Sequence, residues 1–234
     1  MSRARSPDVN INGDTDSLQS QIPLHRRMQP DFYQLEVDRV FKRSWLIIGH
    51  VGDVAEPGAY FVINLPTFKS SVIVTRDQTG KVRAYHNICR HRGNRLIHTT
   101  ENLTCGKAKV FVCGFHGWSF NSDGSLRGVP EEAMYTGLDK KQHGLLEIPV
   151  ATWGGLIFAY FGGTPHVSLE EWLDELYPGF DGYFDKMERI GSYQAELACN
   201  WNIAIDSFSE GFHVVFLHRQ TTPSLIPRRG DEAD

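Results

Sequence analysis

No stretch of this 234-residue chain is apolar for long enough to cross a bilayer. The longest apolar run, Trp153 to Phe161, has nine residues, against the roughly 20 that a membrane-spanning helix needs. It reads instead as a buried strand, and no signal-peptide core opens the chain. A long basic block is also missing. The net charge is −4, with 24 Lys and Arg against 28 Asp and Glu, so nothing points to nucleic acid. Cysteine is scarce, and the four present do not pair into an obvious disulfide framework. These absences leave a soluble, cytoplasmic protein with room for one domain with a core and part of another.

Two of the four cysteines stand beside histidines, in Cys89-Arg90-His91 and Cys113-Gly114-Phe115-His116. A glycine follows each histidine closely, Gly93 in the first and Gly117 in the second. Two thiolates and two imidazoles can hold a two-iron, two-sulfide cluster, with the cysteines on one iron and the histidines on the other. The glycines let the loops turn tightly and bring backbone N–H groups close to the sulfides. The same four residues are also a zinc ligand set. The usual finger order, a cysteine pair followed by a histidine pair, is absent. Cys105 and Cys199 read as a loop thiol and a core thiol.

The pattern Cys-Arg-His-Arg-Gly followed by Cys-x-x-His-Gly-Trp resembles the Rieske iron–sulfur proteins, and within them the Rieske non-haem iron oxygenases, the ring-hydroxylating alpha-subunit family. The high-potential respiratory type differs: it has an extra cysteine where this chain has Asn94, and a serine where this chain has Trp118. Fewer hydrogen bonds to the sulfurs imply a lower potential. The 21 residues between His91 and Cys113 exceed the family's usual gap. The surplus is expected in a surface loop from His98 to Gly106, where growth costs little.

A second constellation follows Asn200-Trp201: Glu210, His213 and His218. Glu210 and His213 are three apart and would share a helix face. His213 and His218 are five apart, about 140° of rotation on a regular helix. Both can face one metal only if the helix bulges or ends near Phe216. Two imidazoles and a carboxylate, with positions left open, suit non-haem Fe(II). The segment is similar to the oxygenase pattern N-W-K…E-x-x-H-x4-H, with Asn202 at the lysine position. The resemblance implies that His213 and His218 ligate the mononuclear iron. It implies that Glu210 bridges a cluster histidine, His116 rather than His91, to an iron-ligand histidine. A third ligand, a carboxylate, is expected beyond Asp234, so the sequence reads as the N-terminal part of a longer catalytic subunit, with apolar faces left unburied.

Local pattern divides the chain. Residues 1–29 form a flexible arm, and 30–43 a helix opened by Pro30-Asp31 with Tyr33, Val37, Val40, Phe41 and Trp45 on one stripe. Residues 44–163 make an all-β Rieske [2Fe-2S] domain, with strands at 60–65, 71–76, 81–87, 109–112, 145–150 and 156–161. Turns are expected at Asp77–Gly80 and Asn121–Gly124. Residues 164–234 begin the mononuclear-iron domain. They start with a Ser168 capping box whose helix runs through Leu176. A strand from Tyr193 to Cys199 and the iron-motif helix follow. The fold class is α+β. The resemblance implies that the second domain is a helix-grip, START-like fold. Phe208, Phe212 and Phe216 are spaced as a core stripe. Arg92 and Arg95 would flank the cluster, and Trp118 would pack over its loop. His50, His86, His98 and His143 have no ligand spacing.

As the resemblance implies it, a reductase drawing on NAD(P)H, directly or through a ferredoxin, reduces the cluster. The electron passes to the mononuclear Fe(II), which activates O2 to hydroxylate an aromatic or other small organic substrate. N- or O-demethylation, or electron transfer without turnover, are the alternatives. The implied assembly is a homotrimer, with or without a beta subunit.

Overall fold

The computed structural model describes residues 29–99 and 103–180 without a break, and most of 182–221. All of the expected N-terminal arm except Gln29 lies outside the described residues. The chain divides into two units, Gln34–Ser192 and a second made of Met1–Tyr33 with Tyr193–Asp234.

The first unit is built on antiparallel strands: β1 (Trp45–His50), β2 (Ala59–Leu65), β3 (Ser70–Arg76), β4 (Val82–His86), β5 (Leu103–Lys107), β6 (Val110–Val112), β7 (Ser119–Asn121), β8 (Leu126–Gly128), β9 (Glu147–Ile148), β10 (Val150–Trp153) and β11 (Leu156–Tyr160). They form a five-stranded sheet ordered β5-β2-β3-β4-β9 and two three-stranded sheets, β1-β11-β10 and β6-β7-β8.

The central sheet is apolar on both faces, and the strand repeat of two explains how it serves two cores. Val62 of β2, Ile73 of β3 and Tyr85 of β4 face one core, together with Cys89, Cys113, Phe111 and Trp118. Their neighbours Phe61, Val72, Val74 and Ala84 face the other core, against Ile48, Ile157 and Ala159 of the β1-β11-β10 sheet. A strand buried on both sides reads as an unbroken β-branched run, which is what Val72-Ile73-Val74 is. One face of this sheet therefore carries the two cysteine loops, and the other anchors them to the rest of the unit.

Several local expectations are corrected. The Trp153–Phe161 run is a hairpin, not one strand. Gly154 and Gly155, with φ of 55° and 80°, turn β10 into β11, and Trp153 pairs with Leu156. The expected surplus loop is partly strand, because Leu103–Lys107 pairs with β2 and sets Cys105 opposite Phe61. Residues 100–102 of that stretch lie outside the described residues. Helix α1 (Pro30–Arg39) is shorter than its supposed stripe. Val37 is buried, but Tyr33 and Val40 are exposed, and Trp45 belongs to β1. The Ser168 capping box is present, with the hydroxyl accepting from Glu171 N. Its helix α2 (Leu169–Leu173) stops at Asp174, and α3 (Leu176–Gly179) is a separate turn.

In the second unit, 195–200 has no strand. A strand exists only with a ladder partner, and alternation in the sequence cannot supply one. Cys199 there is exposed, not a core thiol. Helix α4 (Trp201–Ser209) and helix α5 (Phe212–Leu217) follow. Phe208 and Phe216 are 88% and 78% exposed, so they form no core stripe within this chain. The side chain of Phe212 lies outside the described set. Among the described residues no helix is long and apolar enough to cross a membrane.

Candidate metal centre

The two cysteine loops share one backbone frame. In the first, which follows β4, the Cys89 N–H donates to Asn94 O at 2.8 Å and the Gly93 N–H to Cys89 O at 3.0 Å. In the second, between β6 and β7, the Cys113 N–H donates to Trp118 O at 2.8 Å and the Gly117 N–H to Cys113 O at 2.9 Å. Each is a turn opened by a cysteine, with its fifth residue in the left-handed region: Gly93 at φ 73° and Gly117 at φ 72°. A residue with a Cβ is strained there. The histidine is third in one turn and fourth in the other, which is why the two sequence spacings differ.

Asn87, with no exposed surface, fixes the first loop to the sheet. Its amide donates to Ser71 Oγ and Ile97 O at 3.1 and 2.7 Å. Its Oδ1 accepts from the N–H groups of Leu96 and Ile97 at 3.1 and 3.0 Å. All its polar capacity is used, so it holds the loop exit against β3.

The structure brings Cys89, His91, Cys113 and His116 together. The cysteines are each 2% exposed, and their thiols lie within hydrogen-bond reach of one another. The His91 and His116 rings are 4.7 Å apart at 70°. His91 is half-buried and His116 exposed, so the thiol pair points inward and the imidazole pair outward. Trp118 stacks on His91, with centroids 4.9 Å apart and planes 7° apart. Tyr135 meets both rings edge-on.

The electrostatics separate the two thiols. Burial raises Cys113, but the N–H groups of Phe115 and His116, the Cys89 thiol and the Asn94 amide outweigh it and hold Cys113 below the ordinary thiol range. Burial dominates at Cys89 and pushes it up, with the N–H groups of His91 and Arg92 opposing. Burial, and then the charges of His116 and Arg92, lower His91, which keeps the imidazole neutral and able to ligate.

A two-metal group fits these residues. His91 Nδ1, Arg90 Nε and Trp118 Nε1 are buried and find no partner among the protein atoms. Buried polar atoms are rarely left so, and a group that offers both metal and negative sulfide suits this mixture of an imidazole nitrogen and N–H donors. Among the described residues no three His, Cys, Asp or Glu side chains close on one point, as a single zinc ion would require. The donors stand as a thiol pair and an imidazole pair.

His213 and His218 are also brought together. Helix α5 ends at Leu217, and His218, at φ −103° and ψ 22°, has left the helical path. That end lets the two rings come within 5.3 Å at 75°, which an uninterrupted helix would not allow. Glu210 lies outside the described residues. The helix carrying His213 begins only at Phe212.

A family model for the Rieske [2Fe-2S] domain matches residues 44–149. A model for the ring hydroxylating alpha subunit (catalytic domain) matches residues 184–233. The chain belongs to the ring-hydroxylating oxygenase alpha-subunit family. Benzene 1,2-dioxygenase subunit alpha from Pseudomonas putida is 36% identical over 201 residues, which cover 83% of this chain and 42% of that relative. Biphenyl 2,3-dioxygenase subunit alpha from Rhodococcus jostii (strain RHA1) is 34% identical over 199 residues, 82% of this chain and 41% of that one. The chain thus spans about two fifths of the length of these curated relatives. Among solved structures, naphthalene 1,2-dioxygenase from Rhodococcus sp. bound to indole superposes with TM-score 0.73 and 30% identity, over 83% of this chain and 45% of that one. A quaternary ammonium Rieske monooxygenase in complex with L-carnitine shares the fold at TM-score 0.76 and 23% identity, over 83% of this chain and 54% of that one.

The sequence singled out Cys89, His91, Cys113, His116, His213 and His218 from local spacing, and the structure sets them in close pairs. Sequence reasoning missed Asn87 and Tyr135, whose roles rest on contacts between separate segments.

Proposed function

We propose that this chain serves the catalytic (alpha) subunit of a Rieske non-haem iron oxygenase that hydroxylates an aromatic ring. Residues 44–163 would form its cluster domain and 164–234 the beginning of its mononuclear-iron domain. The [2Fe-2S] group supplies one-electron storage when bound, and a mononuclear Fe(II) supplies dioxygen activation. Cys89 and Cys113 would hold one cluster iron from the buried side, and His91 and His116 the other from the surface side. Trp118 fixes the plane of the His91 ring. The exposed His116 presents its imidazole N–H to a carboxylate, and Glu210 of a neighbouring copy in a homotrimer is the proposed acceptor. His213 and His218 would hold the mononuclear iron. A reductase fed by NAD(P)H, with or without a ferredoxin, would supply electrons in the cytoplasm.

The observation that carries this reading is the pair of equivalent loops that sets two thiols inward and two imidazoles outward. The curated relatives quoted above carry aromatic-ring dioxygenase names, which supports an arene substrate over the N- or O-alkyl substrate of a demethylase. The close His213–His218 pair supports an iron site over a pure electron carrier.

The test is iron stoichiometry. His213→Ala is expected to remove one iron per chain while two irons and two sulfides remain. Equal iron in variant and parent, with three bound in both, would place the third iron elsewhere.

A further inference from the structure

Asn94 and Trp118 occupy equivalent places, the sixth residue of each loop, where the backbone carbonyl accepts from the opening cysteine. Each side chain crosses to the other loop. Trp118 stacks on His91. The Asn94 amide donates to Cys113 Sγ at 3.8 Å, across 19 residues of sequence. The same amide nitrogen also donates to Arg95 O at 2.9 Å. Through its carbonyl Asn94 also receives the Cys89 N–H. One residue thus touches both cysteines.

We propose that Asn94 is the positioning residue that ties the two loops together and sets the reduction potential of the cluster through the Cys113 sulfur. This rests on the cluster reading above and adds a determinant to it. The physical reason is charge. Reduction adds an electron to a group ligated by thiolates, and a hydrogen bond donated to a thiolate sulfur stabilises the more negative state. Removing that donor disfavours reduction and lowers the potential. The bond is also a cross-loop tether.

The experiment is a reductive titration of purified, cluster-loaded chain, followed by EPR and circular dichroism, on the parent, Asn94→Leu and Asn94→Ser. Leucine keeps the bulk and loses the donor. Serine keeps polarity but is too short to span the gap. Iron and sulfide content and thermal unfolding are measured on each. Both variants are expected to hold the parent's iron and its two sulfides and to titrate at a lower potential than the parent. If leucine proves too apolar for the loop and fails to load, the serine variant alone decides. A loaded variant with the parent's potential overturns the proposal. A parent with no cluster signal would instead overturn the cluster reading, and the two failures are told apart by that control.

Discussion

Single side chains decide both the site and the stability around it. Asp77, whose side chain is 1% exposed, closes the turn between β3 and β4. Burial works against its charge, but the Arg83 guanidinium at 2.7 Å, the Thr79 hydroxyl and the N–H groups of Lys81 and Thr79 outweigh it, and the carboxyl is held at about 2 rather than 3.8. A depressed carboxylate stabilises the fold above its unfolded value and loses that contribution as pH falls through the folded one. The shift corresponds to about 2 kcal/mol at neutral pH. Asp77→Asn is expected to lower the unfolding free energy from urea titration at pH 7 by that amount, and the gap to the parent is expected to close between pH 4 and pH 2. A gap that does not change with pH would mean the carboxylate's charge is not the source. The turn itself was legible in the sequence, because Asp77-Gln78-Thr79-Gly80 is local turn chemistry. The ion pair with Arg83 was not, because nothing in the spacing says that the Asp77 carboxylate will be buried against it.

At the scale of elements, the loops and the central sheet depend on one another. Gly93 and Gly117 share a left-handed backbone, yet their surroundings differ. A Cβ at Gly117 would meet Pro130 Cγ at 2.9 Å, and one at Gly93 would meet nothing within 4 Å. Both Gly→Ala variants carry a conformational cost of about 1–2 kcal/mol. Gly117→Ala adds a clash, so it is expected to unfold at lower urea and lose cluster iron faster than Gly93→Ala. Equal behaviour would mean that Pro130 yields freely. Beneath the loops, Ile73 has no exposed surface, and Ile73→Ala should cost about 2–5 kcal/mol, read from chemical unfolding. Turns, caps and the strand at 71–76 were legible because their signals are local. The absence of a strand at 195–200, and the hairpin inside Trp153–Phe161, were not. The first turns on a partner far off in the sequence, and the second on glycines that read equally well as part of a buried run.

At the largest scale, the sheets of the first unit hold both cysteine thiols buried, with His91 half-buried and His116 exposed. The second unit leaves Ile203, Ile205, Phe208, Phe216 and Leu217 more than half exposed. The helical spacing alone had placed Phe208 and Phe216 in a core. Periodicity reports which residues share a face, not whether anything covers it. The most direct measurement is metal and sulfide analysis of anaerobically purified chain, with EPR after dithionite reduction. Two irons and two sulfides on the Cys89, His91, Cys113 and His116 loops, with a reduced signal whose average g lies below the free-electron value, are expected. One zinc with no sulfide would contradict the cluster and everything built on it.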